Sequence, residues 1–226
     1  MKKEKAFTLA EVLITLGIIG IISAMTLPTI IQKQQKVETS TRLKKFYSSM
    51  SQAILMSESK NGSSIYWSLP NQNYVDSDGN YNYVEMNKNA VWMLNEYILP
   101  YLKYLKIDNG KLPDDSSSGK YPTVYFADGS TMRVKFGSCF DMIFDSNGDK
   151  KPNKNGKDQF TFYLCHKSGQ SVFGNKFKTF GPAAMGGITS YPDRNTALTK
   201  CKHDANVCSV LLQKFDNWEF KDDYPW

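Results

Sequence analysis

The fold is decided at the N-terminus by the stretch FTLAEVLITLGIIGIISAMTLPTII, residues 7–31. Its last 20 residues, from Val12 onward, carry no charge. As a helix they would extend for about 30 Å, the thickness of the hydrocarbon core of a bilayer. Three lysines and one glutamate precede the stretch, and a positive flank keeps that side of a membrane span in the cytoplasm. The sequence predicts a membrane-spanning helix over 7–31, with the following residues outside the cytoplasm.

A cleaved secretory signal peptide does not explain this N-terminus. The apolar run is too long for such a signal, and no convincing small-x-small cleavage site follows it. An uncleaved signal anchor explains the length and the orientation. It leaves Glu11 unexplained, because a carboxylate at the edge of a membrane span costs a few kcal/mol unless it is paired.

Two accounts of Glu11 are open. In the first, Thr8 and Glu11 form a capping box, in which each side chain bonds the backbone N–H of the other at the start of the helix. In the second, the chain is cut between Ala6 and Phe7, and the new amino group of Phe7 becomes a cation at an apolar helix end. Glu11 of one subunit would then neutralise that amino group in its neighbour, an attraction strengthened where water is excluded. Both can hold.

The stretch KAFTLAEVLI, residues 5–14, resembles the cleavage and methylation motif of class III signal peptides. These peptides belong to type IV pilins and to the pseudopilins of type II secretion. The resemblance implies that a prepilin peptidase removes leader 1–6 by cutting between Ala6 and Phe7, that Phe7 is N-methylated, and that Glu11 stays in the apolar helix. Ala6 replaces the more usual glycine. The implied partners are homologous subunits, the peptidase, an inner-membrane assembly platform and membrane lipid.

Three further residues of the span bear on assembly. Pro28 removes an amide donor to the carbonyl of Ala24. Pilin-like proteins commonly have a proline at this depth, where the helix can loosen as subunits pack into a fibre. Gly17 and Gly20 offer small surfaces for close helix contact, although glycine is also simply frequent in membrane helices.

A second helical segment, 32–60, has no glycine or proline and carries one apolar face. We expect that face to pack on a globular domain, and the five basic residues between 33 and 45 to lie on a solvated face. Asn61-Gly62 ends the helix. The residues of the apolar face are Leu43, Phe46, Met50, Ala53 and Ile54.

The globular domain, 61–226, is long enough for one buried core. Residues 123–126 and 132–136 flank an Asp-Gly turn, which predicts a β-hairpin, and 140–144 and 159–164 predict two more strands. A short helix broken by Pro100, loops at 107–120 and 181–187, and a last strand from 218 complete the prediction. The fold class is α+β: a long N-terminal helix packed on an antiparallel sheet, as in pilins.

The loop 145–158 is the candidate metal site. It opens with the pattern D-x-N-x-D, which can turn several oxygens toward one hard cation such as calcium. The EF-hand pattern is not met, because Gly156 stands where the glutamate belongs. The alternative is a turn rich in Asx residues and glycine that needs them for backbone geometry alone. The candidate ligands are Asp145, Asn147, Asp149, Asn153 and Asp158.

Four cysteines outside the cytoplasm are expected to form disulfides, for which three pairings exist. A zinc site with the two histidines is disfavoured, because no paired C-x-x-C spacing is present. One pair flanks the loop 145–158 on predicted neighbouring strands, and the other encloses a short C-terminal loop. The preferred bonds are Cys139–Cys165 and Cys201–Cys208.

Composition narrows the function further. The net charge of +6 is mild for 226 residues and dispersed, so nucleic acid is not an expected partner. No G-x-S-x-G nucleophile elbow is present, and an enzyme is not expected. The sequence predicts a structural subunit of a pilus or pseudopilus, held first in the inner membrane and then in a periplasmic or cell-surface filament. The alternative is a solitary membrane-anchored domain that binds calcium or another ligand.

Overall fold

The computed structural model describes residues 8–70, 75, 78–111, 119–137, 139–165, 180–182 and 191–226. The chain divides into two compact units, Met1–Glu38 and Thr39–Trp226. Helix α1 (Leu9–Asn61) contributes residues to both. The predicted cleavage site, Ala6 and Phe7, lies outside the described residues.

In the first unit, α1 exposes its large apolar side chains from Leu9 to Ile31. Pro28 lies inside the helix. Among the described residues, α1 is the one helix long and apolar enough to cross a membrane, by length and composition.

In the second unit, α1 packs through one face. The predicted apolar face is confirmed, and one threonine and one serine side chain extend it. The helix ends at Asn61, as predicted. The next residue, Gly62, has a left-handed φ of 78°, and its N–H donates to the Glu58 carbonyl at 2.9 Å. The buried residues of α1 are Thr39, Leu43, Phe46, Met50, Ala53, Ile54 and Ser57.

The helix covers one face of a six-stranded sheet in which each strand pairs antiparallel with the next along the chain. Phe46 of α1 stacks on Phe144 with ring centroids 4.3 Å apart and meets Phe162 edge-on at 5.1 Å. The predicted α+β fold is therefore confirmed, and all four predicted strands are present. The strands are β1 (Lys106–Asp108), β2 (Thr123–Tyr125), β3 (Thr131–Phe136), β4 (Phe140–Asp145), β5 (Gln159–Leu164) and β6 (Phe180–Pro182).

The two edge strands correct the sequence prediction. Lys106–Asp108 and Phe180–Pro182 fall partly in stretches predicted as loops, and each is three residues long. Three residues are too few to establish a period of two, and β6 contains both glycine and proline, which are tolerated at a sheet edge.

The C-terminal region also differs from the prediction. No strand follows residue 218 in the described chain, because Asn217 and Trp218 have left-handed φ values of 48° and 63°, which turn the backbone out of an extended path. The aromatic end is nevertheless docked, since Trp218 and Tyr224 are buried. Two short helices, α3 (Arg194–His203) and α4 (Cys208–Lys214), precede it.

Helix α2 (Tyr83–Met93) lies between α1 and the sheet strands in the chain. The Asn82 side chain caps it by accepting from the Glu85 N–H at 3.1 Å. A π-helical turn over Leu94–Ile98 and a 3₁₀ turn over Leu99–Tyr101 end it near Pro100, where the break was predicted.

Candidate functional site

Glu11 forms the capping box. Its Oε2 accepts from the Thr8 N–H at 2.8 Å and from the Thr8 hydroxyl at 2.7 Å, while the Glu11 N–H donates to Thr8 Oγ1 at 3.3 Å. Within a single chain, the carboxylate is thus hydrogen-bonded to Thr8. Pairing with a neighbouring subunit would replace the hydrogen bonds to Thr8 by a contact between chains.

Gly17 and Gly20 lie where α1 is open. A Cβ atom added at either position would meet no atom within 4 Å. Among the described residues these glycines therefore make no packing contact, and the surface around them has room for another helix.

Three basic residues of α1 contact the globular domain. An Arg42 N–H donates to the Ser146 carbonyl. Lys44 and Lys45 form ion pairs with Glu219 at 3.5 Å and with Asp128 at 2.7 Å. The Lys44 and Lys45 side chains nevertheless keep 41% and 64% of their surface exposed, so these cations lie on a solvated face while they contact the globular domain.

Asp128 shows what one of these contacts does. Its burial disfavours the charged form, but hydrogen bonds from Lys45 and Ser130 outweigh that effect and lower the pKa of Asp128 to about 2. The carboxylate at the β2–β3 turn is therefore ionised across the physiological pH range and holds Lys45 beside it.

The loop 145–158 folds around two buried carboxylates. Asp158 accepts from the backbone N–H groups of Asn153 and Lys154 at 2.8 and 2.6 Å. Asp145 accepts from the Asn147 N–H at 3.1 Å and from the Gln159 amide at 2.9 Å. Burial raises the pKa of Asp145, and the charge of Asp158 raises it further.

Two side-chain amides complete the cluster. Asn147 donates to Asp158 at 3.2 Å, but its own Oδ1 is buried and has no hydrogen-bond partner in the described chain. One end of the Asn153 amide lies 3.1–3.2 Å from Asp145 Oδ2 and from the carbonyls of Gly148 and Lys150. An amide nitrogen in that position can donate its two hydrogens to these oxygens, whereas an amide oxygen there would need a cation among them.

Asp149 does not join this cluster. It is exposed, and no hydrogen bond between described residues links its side chain to the other four predicted ligands. Nor do the described ranges contain a group of three or more His, Cys, Asp or Glu side chains placed to share a metal ion. The structure thus brings together Asp145, Asn147, Asn153 and Asp158. The D-x-N-x-D pattern predicted Asp149 as a further ligand, but Asp149 is exposed and lies outside this cluster.

The far end of the loop is held by the C-terminal region, which the sequence did not predict. The Tyr224 hydroxyl donates to the Gly156 carbonyl at 2.5 Å, and Asn155 donates to Asn206 at 2.8 Å. Gly156 has a φ of 76°, and a Cβ there would lie 3.1 Å from the Cys208 sulfur. Glycine at this position therefore serves the backbone turn and the close packing of the loop on the disulfide.

Both disulfides present in the structure have the pairing preferred from the sequence. Cys139–Cys165 joins the ends of the neighbouring strands β4 and β5, with Cα atoms 4.3 Å apart. Cys201–Cys208 joins α3 to α4, with Cα atoms 4.6 Å apart.

An arginine clamp that the sequence did not reveal holds the C-terminus. Arg194 donates from Nε and Nη2 to Asp216 at 2.6 and 3.0 Å, and from Nη1 to Asp223 at 2.7 Å. The Asp216 side chain is fully buried and also pairs with Lys221 at 2.7 Å. These hydrogen bonds, first those that Arg194 donates to Asp223 and then those that it donates to Asp216, raise the pKa of Arg194.

Two family models match the chain, one at the N-terminus and one over the rest. Residues 29–226 match a family described as "Family of unknown function (DUF6613)". The chain belongs to this family. Residues 1–27 of the DUF6613 protein match the prokaryotic N-terminal methylation motif, which confirms the type IV pilin-like prepilin motif. No curated protein and no solved structure matches the chain.

The motif and the fold agree. A processed, pilin-like protein with an apolar N-terminal helix fits an anchor in the inner membrane, and such a motif indicates a structural subunit rather than an enzyme. Glu11 and Gly17 lie on that helix. The loop 145–158 connects β4 and β5 of the sheet that α1 covers.

Proposed function

We propose that this DUF6613 protein is a structural subunit of a type IV pilus or a type II secretion pseudopilus. A prepilin peptidase cuts it between Ala6 and Phe7, Phe7 is N-methylated, and the subunits assemble through α1. The observation that carries the proposal is the methylation motif at residues 1–27, joined to a helix whose apolar side chains are exposed.

The energetics of α1 favour assembly through a few specific groups. The large apolar side chains from Leu9 to Ile31 are exposed, and burying each contributes roughly 1.5 to 3 kcal/mol relative to water. Lipid tails remove these side chains from water as well as neighbouring subunits do. Their burial therefore does not by itself favour a fibre over the membrane. Glu11 is disfavoured in lipid and gains a partner in the fibre. Close packing at Gly17 and Gly20 adds to this.

The proposed orientation places the leader in the cytoplasm and the globular domain outside it. The positive leader supports this orientation, and two disulfides suit an oxidising compartment. The proposed partners are homologous subunits, the prepilin peptidase, the inner-membrane assembly platform and lipid.

Processing is the first test. Co-expression with an active prepilin peptidase should yield a protein whose intact mass corresponds to residues 7–226 plus one methyl group. Replacing Ala6 with tryptophan should block the cut, because a large side chain replaces a small one at the cleavage site. A full-length mass for the unchanged chain, in cells that process a reference prepilin, contradicts the proposal.

We also propose that the loop 145–158 binds calcium, which would serve either a filament subunit or a solitary anchored domain. Two buried carboxylates and the unpartnered Oδ1 of Asn147 support it. The ligands would be Asp145, Asn147, Asn153 and Asp158, with Asn153 presenting its oxygen. Calcium would supply positive charge to carboxylates that form no ion pair among the described residues.

Calcium at tenfold its dissociation constant should stabilise the full-length chain in detergent by about 1.4 kcal/mol. This corresponds to a rise in melting temperature of about 3 to 6 °C over the value in chelator. Asp145→Asn should abolish the rise, whereas the matched variant Asp149→Asn should keep it. An unchanged melting temperature for the wild-type chain would mean that the Asn153 amide nitrogen occupies the position proposed for the cation.

A further inference from the structure

A groove runs along α1 within the compact unit Thr39–Trp226. It has a volume of about 650 Å³, within the range of ligand-binding clefts. One wall is a stripe of α1 residues spaced three and four apart, and the other is formed by residues 101–104, 126–128 and 130. The stripe consists of Arg42, Lys45, Ser49, Gln52 and Met56.

The floor of the groove is aromatic. Phe46 lies between Phe144, with centroids 4.3 Å apart, and Phe126, at 6.2 Å in an edge-on arrangement. Phe46 and Phe144 belong to the buried core, so the floor is rigid and its shape is set by core packing. Such a floor suits a bulky apolar side chain.

The rim of the groove is positive. Arg42, Lys45 and Lys103 line it, against one lining carboxylate, Asp128, which gives a net charge of +2 by 3 − 1. Lys45 pairs with Asp128 at 2.7 Å and an Arg42 N–H donates to the Ser146 carbonyl, so both side chains are held in place at the rim. Between the charges and Met56, Ser49 and Gln52 offer hydrogen-bonding groups suited to a peptide backbone.

The dimensions indicate the form of the occupant. The stripe from residue 42 to residue 56 extends for about 21 Å along α1 at 1.5 Å per residue. An extended peptide advances about 3.3 Å per residue, so about six residues fill this length. We propose that the groove binds an extended acidic peptide segment of about six residues that places one bulky apolar side chain on the aromatic floor.

The probe is a fluorescein-labelled hexapeptide, Asp-Glu-Phe-Leu-Glu-Asp, measured by fluorescence anisotropy against the full-length chain in nanodiscs of zwitterionic lipid. We expect saturable binding that weakens as salt screens the charges. A peptide with lysine at the four acidic positions, and another with serine in place of Phe-Leu, should each bind at least tenfold more weakly.

Two matched pairs of variants locate the site. Ser49→Trp fills the groove and should weaken binding at least tenfold, whereas Ser48→Trp, at an exposed neighbouring position of α1, should stay within twofold. Lys103→Glu should weaken binding at least fivefold, whereas Lys200→Glu on α3 changes the net charge equally without touching the groove.

The proposal is overturned if the wild-type chain shows no saturable binding, or if each control loses as much affinity as its groove partner. It is also overturned if the groove variants alter only binding to vesicles of anionic lipid, because the occupant would then be a lipid. Thermal melts of all four variants check that the fold is retained. If only one of Ser49→Trp and Lys103→Glu folds, its comparison with its own control still tests the proposal.

Discussion

Replacing Glu11 with valine is expected to reduce filament yield at least tenfold while leaving membrane insertion unchanged. Insertion depends on the apolar run that follows Glu11, which valine lengthens. Assembly depends, in the proposed function, on a contact between Glu11 and the amino group of Phe7 in a neighbouring subunit. Sheared-fibre yield and membrane fractionation measure the two properties separately.

The expected loss of filament yield follows from the attraction between the two charges. Two unit charges 4 Å apart attract by about 4 kcal/mol at an effective dielectric constant of 20. A difference of 1.4 kcal/mol is tenfold in an equilibrium constant, and the contact recurs at every subunit of a fibre. A tenfold loss is therefore a lower bound, even after the hydrogen bonds to Thr8 are given up.

Thr8→Val is the matched control. It removes the hydroxyl that donates to Glu11 at 2.7 Å but keeps the carboxylate. If Glu11 acts in assembly, Thr8→Val should retain most of the filament yield. If both variants assemble normally and only the start of the helix frays, Glu11 is a cap and nothing more.

Replacing Arg194 with methionine is expected to destabilise the folded chain by about 3 kcal/mol. Removing one partner of a buried ion pair costs roughly 3 to 5 kcal/mol, because a buried charge is left uncompensated. Lys221 remains on Asp216 at 2.7 Å, which places the expected effect at the low end. The corresponding fall in melting temperature is about 6 to 12 °C, measured in a thermal melt.

The effect should depend on pH with a definite sign. Hydrogen bonds from Arg194 lower the pKa of Asp223, so this part of the stabilisation is present above the ordinary aspartate pKa and is lost as the pH falls below about 4. The difference between the wild-type and variant melting temperatures should therefore become smaller in acid, by the part that Asp223 contributes. Lys200→Met on the same helix is the control. If Arg194→Met melts at the same temperature as this control, Arg194 does not stabilise the C-terminus as proposed.

The apolar helix, the motif and the central strands were predictable because their signals are local. A 20-residue uncharged run, a Thr8-Glu11 spacing and an Asp-Gly turn between β-formers each act within a few residues of the chain. The edge strands β1 and β6 were not predictable, because three residues are too few for a period and only the neighbouring strand makes them extended.

The candidate loop shows the same division. Its oxygen-rich composition predicted five candidate ligands for one cation, and four of them lie together around the buried Asp145 and Asp158. Which of the acids turn inward depended on the hydrogen bonds of Asn147 and Gln159, and Asp149 was left outside. The support that Tyr224 gives to Gly156 joins residues 68 positions apart and has no signal in the sequence.

By itself, the amino-acid sequence determined an apolar N-terminal helix with a processing motif, a helical continuation with one buried face and an antiparallel sheet, because periodicity and turn chemistry act between near neighbours. Only the tertiary structure decided the groove beside α1, the Arg194 clamp and the convergence of the loop on Tyr224. These features join side chains far apart in the chain, and they arise only when packing of the core brings the elements together.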